Sequence, residues 1–529
     1  MKKLYIALTL AFAITLIFPF TVLARMGDMG FWSGVSEGRP LPGTTQQILA
    51  SETNANTTDR FVYHEIIWID GEPVEFEGVM VIESRAGRVR PDAVSGSYEV
   101  TYRITPAHED QDVLLTRTIT FVVNFRREGN QTVRDWTVRD ARSNRVQRWE
   151  ETIVTPTGTY TLDRRRSNIN ISFLEDQTPG VLYYKGNLSM HAVFTRAYDN
   201  GNGNGNDNGN GNGGGEVIIR STGSIYGFTS AWSAAETHRI DTWVDIGGEQ
   251  VHFQTRPSLS VNKTLMFTEN EPQPVSFRGN YMEIVANQSS LSYDIFIRPI
   301  RFNDNPRSGS ITIPTFNTFE QLIAPDTSHL RGHFAESDIA QLFAMEVFTG
   351  VPARFRPDQA MTRGQYVMAM ARAAKVPLPD PPRNARARNT TSIVFPDVTP
   401  DRVEHPYIIA FFNAGLAIGR DRGNFFIDAP ITMEEAIVIM VRVLGLTNIA
   451  PNPTPVTPFT DNDRISDWAR REVYAAYRLG LIAPDDEGRI NPLTNISNAT
   501  GAALVNRMID YMRHELVTAY TDHITNYIH

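Results

Sequence analysis

The sequence predicts a multidomain protein: an all-β N-terminal region, antiparallel and sandwich- or barrel-like, followed by an all-α region of three repeats. Three observations predict this. Short alternating apolar–polar segments run from Phe61 to Tyr198 and return over 216–320. A segment made almost wholly of Gly and Asn, 200–215, separates the two stretches. Helical periodicity then takes over, with a repeat of roughly 65–70 residues. A chain of 529 residues suits several domains of ordinary size.

Residues 1–24 read as a secretory signal peptide. Lys2 and Lys3 form its basic start, and Leu4 to Phe18 is apolar but for Thr9 and Thr15. Pro19 then leads to Val22-Leu23-Ala24, a small-residue cleavage pattern. No later apolar stretch is long enough to span a bilayer, so no membrane span is expected after cleavage. The chain has no cysteine, which excludes disulfides, thiolate metal sites, a Cys nucleophile and lipid attachment through Cys. A net charge of -9 argues against nucleic acid as a partner. An exported chain without a lipid anchor needs a folded module to hold it at the surface.

In the β-rich part, 25–199, Tyr98 to Ile104 alternates and Thr118 to Val123 is a β-branched run. Thr159 to Leu162, Ile169 to Phe173 and Ser189 to Phe194 continue the pattern, separated by turns such as Asp70-Gly71, Gly129-Asn130 and Pro179-Gly180. Residues 200–215 read as a flexible linker or loop, because Gly and Asn cannot bury a core. Residues 216–320 are a second β-rich domain or a continuation of the first. Trp68 to Phe76 faintly echoes Trp243 to Phe253, with the same Glu-x-Val-x-Phe spacing.

Catalytic motifs are absent from this region: there is no His-Glu-x-x-His, no Gly-x-Ser-x-Gly and no phosphate loop. His64 and Glu65 are neighbours on a strand and so point to opposite faces. A glycosidase needs only two carboxylates, and sequence spacing does not find such a pair. Arg126 to Arg166 is arginine-rich, which reads as strand faces paired with nearby acids rather than a polyanion surface. No catalytic residue, metal ligand or cofactor is assigned.

The helical part divides into units at 321–385, 393–450 and 455–515, with Pro-rich breaks at Pro377 to Pro382 and Pro451 to Pro458. Each unit carries an apolar residue seven places before a hydroxyl residue and another directly before it: Phe355 and Met361 before Thr362, Phe425 and Ile431 before Thr432, Ile490 and Ile496 before Ser497. Thr362 with Gln365, and Thr432 with Glu435, form capping boxes at helix starts, whereas Ser497 caps alone. Apolar helical spacing follows at Val367, Met370, Ala371 and Ala374, at Ile437, Met440, Val441 and Leu444, and at Leu504, Val505, Met508 and Met512. A second helix precedes each cap, at about 335–348, 406–417 and 467–480. Glycines (Gly350, Gly419, Gly423, Gly488) mark the loops.

These residues resemble the S-layer homology family, whose repeat runs from Phe-x-Asp through an aromatic helix start to Gly-x-Phe-x-Pro and Ile-Thr-Arg-Ala-Glu. Phe395-Pro-Asp397 and Phe459-Thr-Asp461 match the opening, and Ala324-Pro-Asp326 holds its place in unit one. The resemblance covers about 321–515 and implies a pseudo-threefold bundle that binds a secondary cell-wall polysaccharide, often pyruvylated, without a covalent bond. A pyruvate ketal carries a carboxylate. A capped helix N-terminus offers N–H groups and a positive dipole end, and an Arg in the first turn adds a bidentate donor. Arg363, with Thr362 and Gln365, holds that position, and Phe334 and Trp468 are the candidate sugar-stacking rings.

Met433 and Asn498 replace the family's Arg in units two and three, Thr500 replaces the acid in unit three, and Val403 stands near the aromatic position in unit two. One anion pocket is therefore expected rather than three. Simple core packing is the favoured alternative for Trp468, and capping or bridging of repeats the favoured one for Asp326, Asp397 and Asp461. The expectation is a secreted, wall-anchored surface protein with a structural or adhesive β-region, and self-assembly at the surface is left open. The rivals are a wall-tethered enzyme of the glycoside-hydrolase kind and a secreted binding protein whose repeats no longer hold the wall.

Overall fold

The computed structural model describes residues 34–36, 57–85, 93–138, 149–197, 215–268, 279–299, 306–313, 316–376, 378, 395–416 and 423–516. The signal-peptide expectation, residues 200–214, the Pro377 to Pro382 break (apart from Leu378) and Gly419 lie outside them.

Among the described residues, alternation in the sequence becomes sixteen strands in one antiparallel sheet. The first five are β1 (Gly34–Ser36), β2 (Thr57–Ile67), β3 (Val74–Arg85), β4 (Ser95–Pro106) and β5 (Leu114–Glu128). Next come β6 (Gln131–Thr137), β7 (Trp149–Thr155), β8 (Gly158–Leu162), β9 (Asn168–Gln177), β10 (Val181–Ala197) and β11 (Glu216–Ser230). The last are β12 (Ser233–Ile246), β13 (Glu249–Thr268), β14 (Asn280–Ile297), β15 (Ser308–Thr312) and β16 (Phe316–Ile323). At β5 the sheet divides: β7 pairs with Leu114 to Ile119 and β6 with Val122 to Glu128. The branches rejoin on β10, where β9 pairs with Leu182 to His191 and β8 with Phe194 to Ala197. β10 and β11 pair from Val181↔Ser230 to Thr195↔Glu216, so one sheet runs through both β-rich stretches.

Twist curls this sheet until its ends meet. Trp68, after β2, stacks on Phe253 of β13 with ring centroids 3.7 Å apart, and Ser289 Oγ of β14 donates to the Ser36 carbonyl of β1 at 3.1 Å. Inside the curl lies a buried ion network. Arg117 donates to Glu65 at 2.8 Å and to Glu151 at 2.7 and 2.8 Å. Tyr63 OH donates to Glu65 at 2.7 Å and Trp149 Nε1 to Glu151 at 3.0 Å. Burial, reinforced by Glu65, pushes the Tyr63 phenol well above its ordinary range. His64 and Glu65 take opposite faces, Glu65 inward. In the arginine-rich stretch, Arg134 pairs with Glu175 at 2.7 Å and Arg166 with Glu216 at 2.5 Å.

The helical region has six α-helices among the described residues: α1 (Glu336–Ala344), α2 (Arg363–Ala373), α3 (His405–Asn413), α4 (Met433–Leu444), α5 (Arg470–Arg478) and α6 (Asn498–Asp510). They fall in pairs, one pair per repeat, and every apolar position named above on α2, α4 and α6 or just beyond them is buried. None of these helices is long and apolar enough to cross a membrane.

The helical core does not close on its own. Val181, Tyr183, Phe228, Ala231 and Trp232 from the sheet belong to it. Two β-turns reach in. At the β9–β10 turn, Gly180 N donates to the Val443 carbonyl at 2.9 Å, and Tyr183 OH donates to that of Leu444 at 3.0 Å. A side chain at Gly180 would collide with Val443, which explains a glycine there. At the β11–β12 turn, Trp232 Nε1 donates to the Ala373 carbonyl at 2.8 Å and Ser233 Oγ donates to that of Met512. The Arg513 guanidinium stacks on the Trp232 ring at 4.4 Å. The sheet is thus packed into the bundle rather than merely tethered to it.

Candidate functional site

The three caps meet at the bundle axis. Met361 N donates to Ile496 O at 2.9 Å, Ile496 N to Ile431 O at 3.0 Å, and Ile431 N to Met361 O at 3.0 Å. These are the equivalent apolar residues directly before Thr362, Thr432 and Ser497, so their backbones close a threefold hydrogen-bonded ring. Each cap follows the local chemistry. Thr362 Oγ1 accepts from Gln365 N at 3.2 Å and Gln365 Oε1 accepts from Thr362 N at 3.0 Å. Glu435 Oε2 accepts from Thr432 N at 3.1 Å, and Ser497 Oγ from Thr500 N at 3.1 Å.

The first-turn N–H groups are spent on the neighbouring repeat. Arg363 N and Gly364 N donate to Ala429 O and Ile427 O, at 2.9 and 3.0 Å. Met433 N and Glu434 N donate to Thr494 O and Pro492 O, and Asn498 N and Ala499 N to Gln359 O and Pro357 O. This corrects the expectation of free donors for an anion at the capped N-terminus: in each unit the next loop's carbonyls take them. Asp397 and Asp461 each cap the loop of their own repeat, which fits the capping alternative and corrects that of bridging between repeats. Asp397 accepts from Phe425 N and Phe426 N at 2.8 and 2.6 Å, and Asp461 from Ile490 N and Asn491 N at 3.1 and 2.8 Å. Phe426 and Asn491 sit at φ of 59° and 52°, so the carboxylates hold left-handed residues in place. Asp326 instead accepts from Ser328, within its own turn.

Arg363 is only 6% exposed. Its Nη1 pairs with Glu435 Oε1 at 2.9 Å, its Nε donates to the Phe425 carbonyl at 3.0 Å, and its guanidinium lies 4.9 Å over the Phe425 ring. The charge proposed for the ligand thus faces a carboxylate of unit two. Phe334 and Trp468 stand at the starts of α1 and α5 and are 73% and 52% exposed, with Val403 exposed at the matching place before α3. Core packing, the favoured expectation for Trp468, is therefore corrected: the ring stands off the core.

Five predicted residues thus occupy three places: Thr362, Arg363 and Gln365 at a repeat seam, Phe334 at the start of unit one, and Trp468 in unit three. Trp468 lines a cleft of about 470 Å³ together with Arg442, Arg471 and, from the sheet, Asn130, Asp176 and Pro179. Sequence reasoning missed this cleft because its walls lie hundreds of residues apart in the chain. Among the described residues no cluster of three or more His, Asp or Glu is placed to hold a metal.

The S-layer homology domain family matches this chain at residues 327–367 and 458–499, in units one and three. Unit two has the same helix pair, the capping box of unit one and the Asp clamp of unit three. An endoglucanase of Bacillus sp. (strain KSM-635) is 25% identical over 184 residues, which is 33% of this chain and 18% of that protein. An amylopullulanase of Thermoanaerobacterium thermosulfurigenes is 25% identical over 183 residues, 34% of this chain and 9% of that protein. The matches span less than a fifth of either relative. Family match, repeated helix pairs and threefold ring of caps agree: the chain carries S-layer homology domains, which implies association with the cell surface.

Proposed function

We propose that the helical triplet anchors an exported chain non-covalently to secondary cell-wall polysaccharide and displays the β-sheet as a structural or adhesive region. The family match on a three-unit, cap-closed bundle carries this reading. Phe334 and Trp468 offer exposed ring faces for sugars, and a pyruvylated polymer is the ligand class the resemblance implies. Thr362, Arg363 and Gln365 build the frame that holds the repeats in register. Arg363 acts there as a positioning residue.

The second reading is a wall-tethered polysaccharide-processing enzyme, which the names of the two relatives favour. Against it, Glu65 and Glu151 are both ion-paired with Arg117, and the space that they line together is only about 50 Å³. That space suits ordered water rather than a sugar ring.

Cell fractionation tests the anchoring reading. The full chain is expected in the wall fraction, and a chain lacking residues 321–529 in the medium. Full-length protein found only in the medium would refute it.

A further inference from the structure

We propose that the cleft between the sheet and repeats two and three is a composite site for an acidic sugar, with Arg471 as its anion donor and Trp468 as its stacking face. The proposal rests on the anchoring reading and goes beyond it, because half of the site belongs to the β-region.

The volume, about 470 Å³, falls within the range of roughly 300–1,000 Å³ typical of ligand pockets. Arg471 is exposed and forms no ion pair with the described residues. Among the described residues its guanidinium makes only two long hydrogen bonds, 3.5 Å to Asn448 Oδ1 and 3.4 Å to the Ala450 carbonyl. Such contacts are weak enough to be exchanged for a carboxylate or phosphate. Arg442 differs: its Nε is held by Glu472 at 2.7 Å, which also neutralises that carboxylate. Trp468 and Arg471 line the same cleft, so a sugar stacked on the indole would bring an acidic substituent to the guanidinium.

The opposite wall carries hydroxyl-binding groups. Asp176 is half-buried without a hydrogen-bonded or ionic partner for its carboxyl among the described residues, and burial raises its pKa. The Asn130 side chain is exposed beside it, while the Asn130 backbone is fixed by a 2.9 Å bond from Gln177 N. This wall is rigid because the adjoining turn is docked. Besides the Gly180 bond, Thr178 packs against Gly445 of the bundle. The two walls are therefore held apart before any ligand arrives, which lowers the ordering cost of binding.

The test is calorimetric titration of the full chain with secondary wall polymer fragments released by enzymatic digestion of the peptidoglycan, which leaves acid-labile ketals intact. One arm reduces their carboxylates with carbodiimide and borohydride, and another strips phosphate with cold hydrofluoric acid. Arg471→Gln is expected to weaken binding on the order of tenfold or more, the effect of a lost charge-assisted contact. Its unfolding midpoint should stay unchanged, because the side chain is exposed. Asn130→Trp, which fills the cleft from the sheet side, should weaken binding to a similar extent. The arm that removes the acid should abolish the difference between wild type and Arg471→Gln and so identify the anion. Wild-type binding that ignores both substitutions, or both chemical treatments, would overturn the composite site alone. Weakening by Arg471→Gln but not by Asn130→Trp would also overturn it, since the sheet would then not form a wall. A wild-type chain that binds none of these sugars would overturn the anchoring reading as well.

Discussion

Arg363→Ala is expected to destabilise the helical region by about 3–5 kcal/mol, the cost of removing one partner of a buried ion pair. The substitution leaves the Glu435 carboxylate, which is nearly as buried as the arginine, without its counter-ion. It also leaves the Phe425 carbonyl without its donor and removes the stacking over the Phe425 ring. The damage crosses a repeat boundary, because the same Glu435 closes the capping box of α4 through Thr432 N. Arg363→Met combined with Glu435→Met should recover most of the loss, since no charge is then stranded. Denaturant unfolding followed by circular dichroism measures both variants. If Arg363→Ala unfolds like the wild type but loses the wall, the arginine serves the ligand directly and the positioning role is wrong.

Trp232→Ala should cost about 3–5 kcal/mol, the usual range for emptying a buried aromatic site. Trp232 is 2% exposed, donates to the Ala373 carbonyl and supports the Arg513 guanidinium on its face. Arg513 would keep little else but Asp510 at 3.5 Å and Met345 Sδ at 3.6 Å. Because the ring joins sheet to bundle, the loss should also uncouple them. Differential scanning calorimetry should resolve separate transitions for the two parts in the variant, against a shared one in the wild type. An unchanged thermogram would mean that the docked turn contributes little.

Much of this architecture is legible in the chain because it is local. Thr362 with Gln365 and Thr432 with Glu435 announce helix starts by a three-residue spacing, and the strands announce themselves by alternation. The burial of Met370, Met440 and Met508 follows from 3.6-residue periodicity. What the sequence hides is long-range. Arg363 reads as an available first-turn charge until the fold brings up Glu435 from the next repeat. The bonds joining Met361, Ile431 and Ile496 are made by backbone atoms, which no side-chain pattern advertises. Pro179-Gly180 and Ala231-Trp232 look like ordinary turns, yet the first docks on the Val443 carbonyl and the second inserts into the helical core. Trp468 looks like core because it opens an amphipathic helix, but it lies before the first turn of α5 and stays outside.

That packing decides how the anchor has to be measured. A fragment beginning at residue 321 would lack the five sheet residues of the shared core, so the full chain is the proper reagent. Co-sedimentation of this chain with purified walls, before and after extraction of the secondary polysaccharide, is the most direct measurement. The protein should pellet with intact walls and remain in the supernatant with extracted ones. Equal pelleting with both, or none with intact walls, would contradict the claim that the helical triplet grips that polymer.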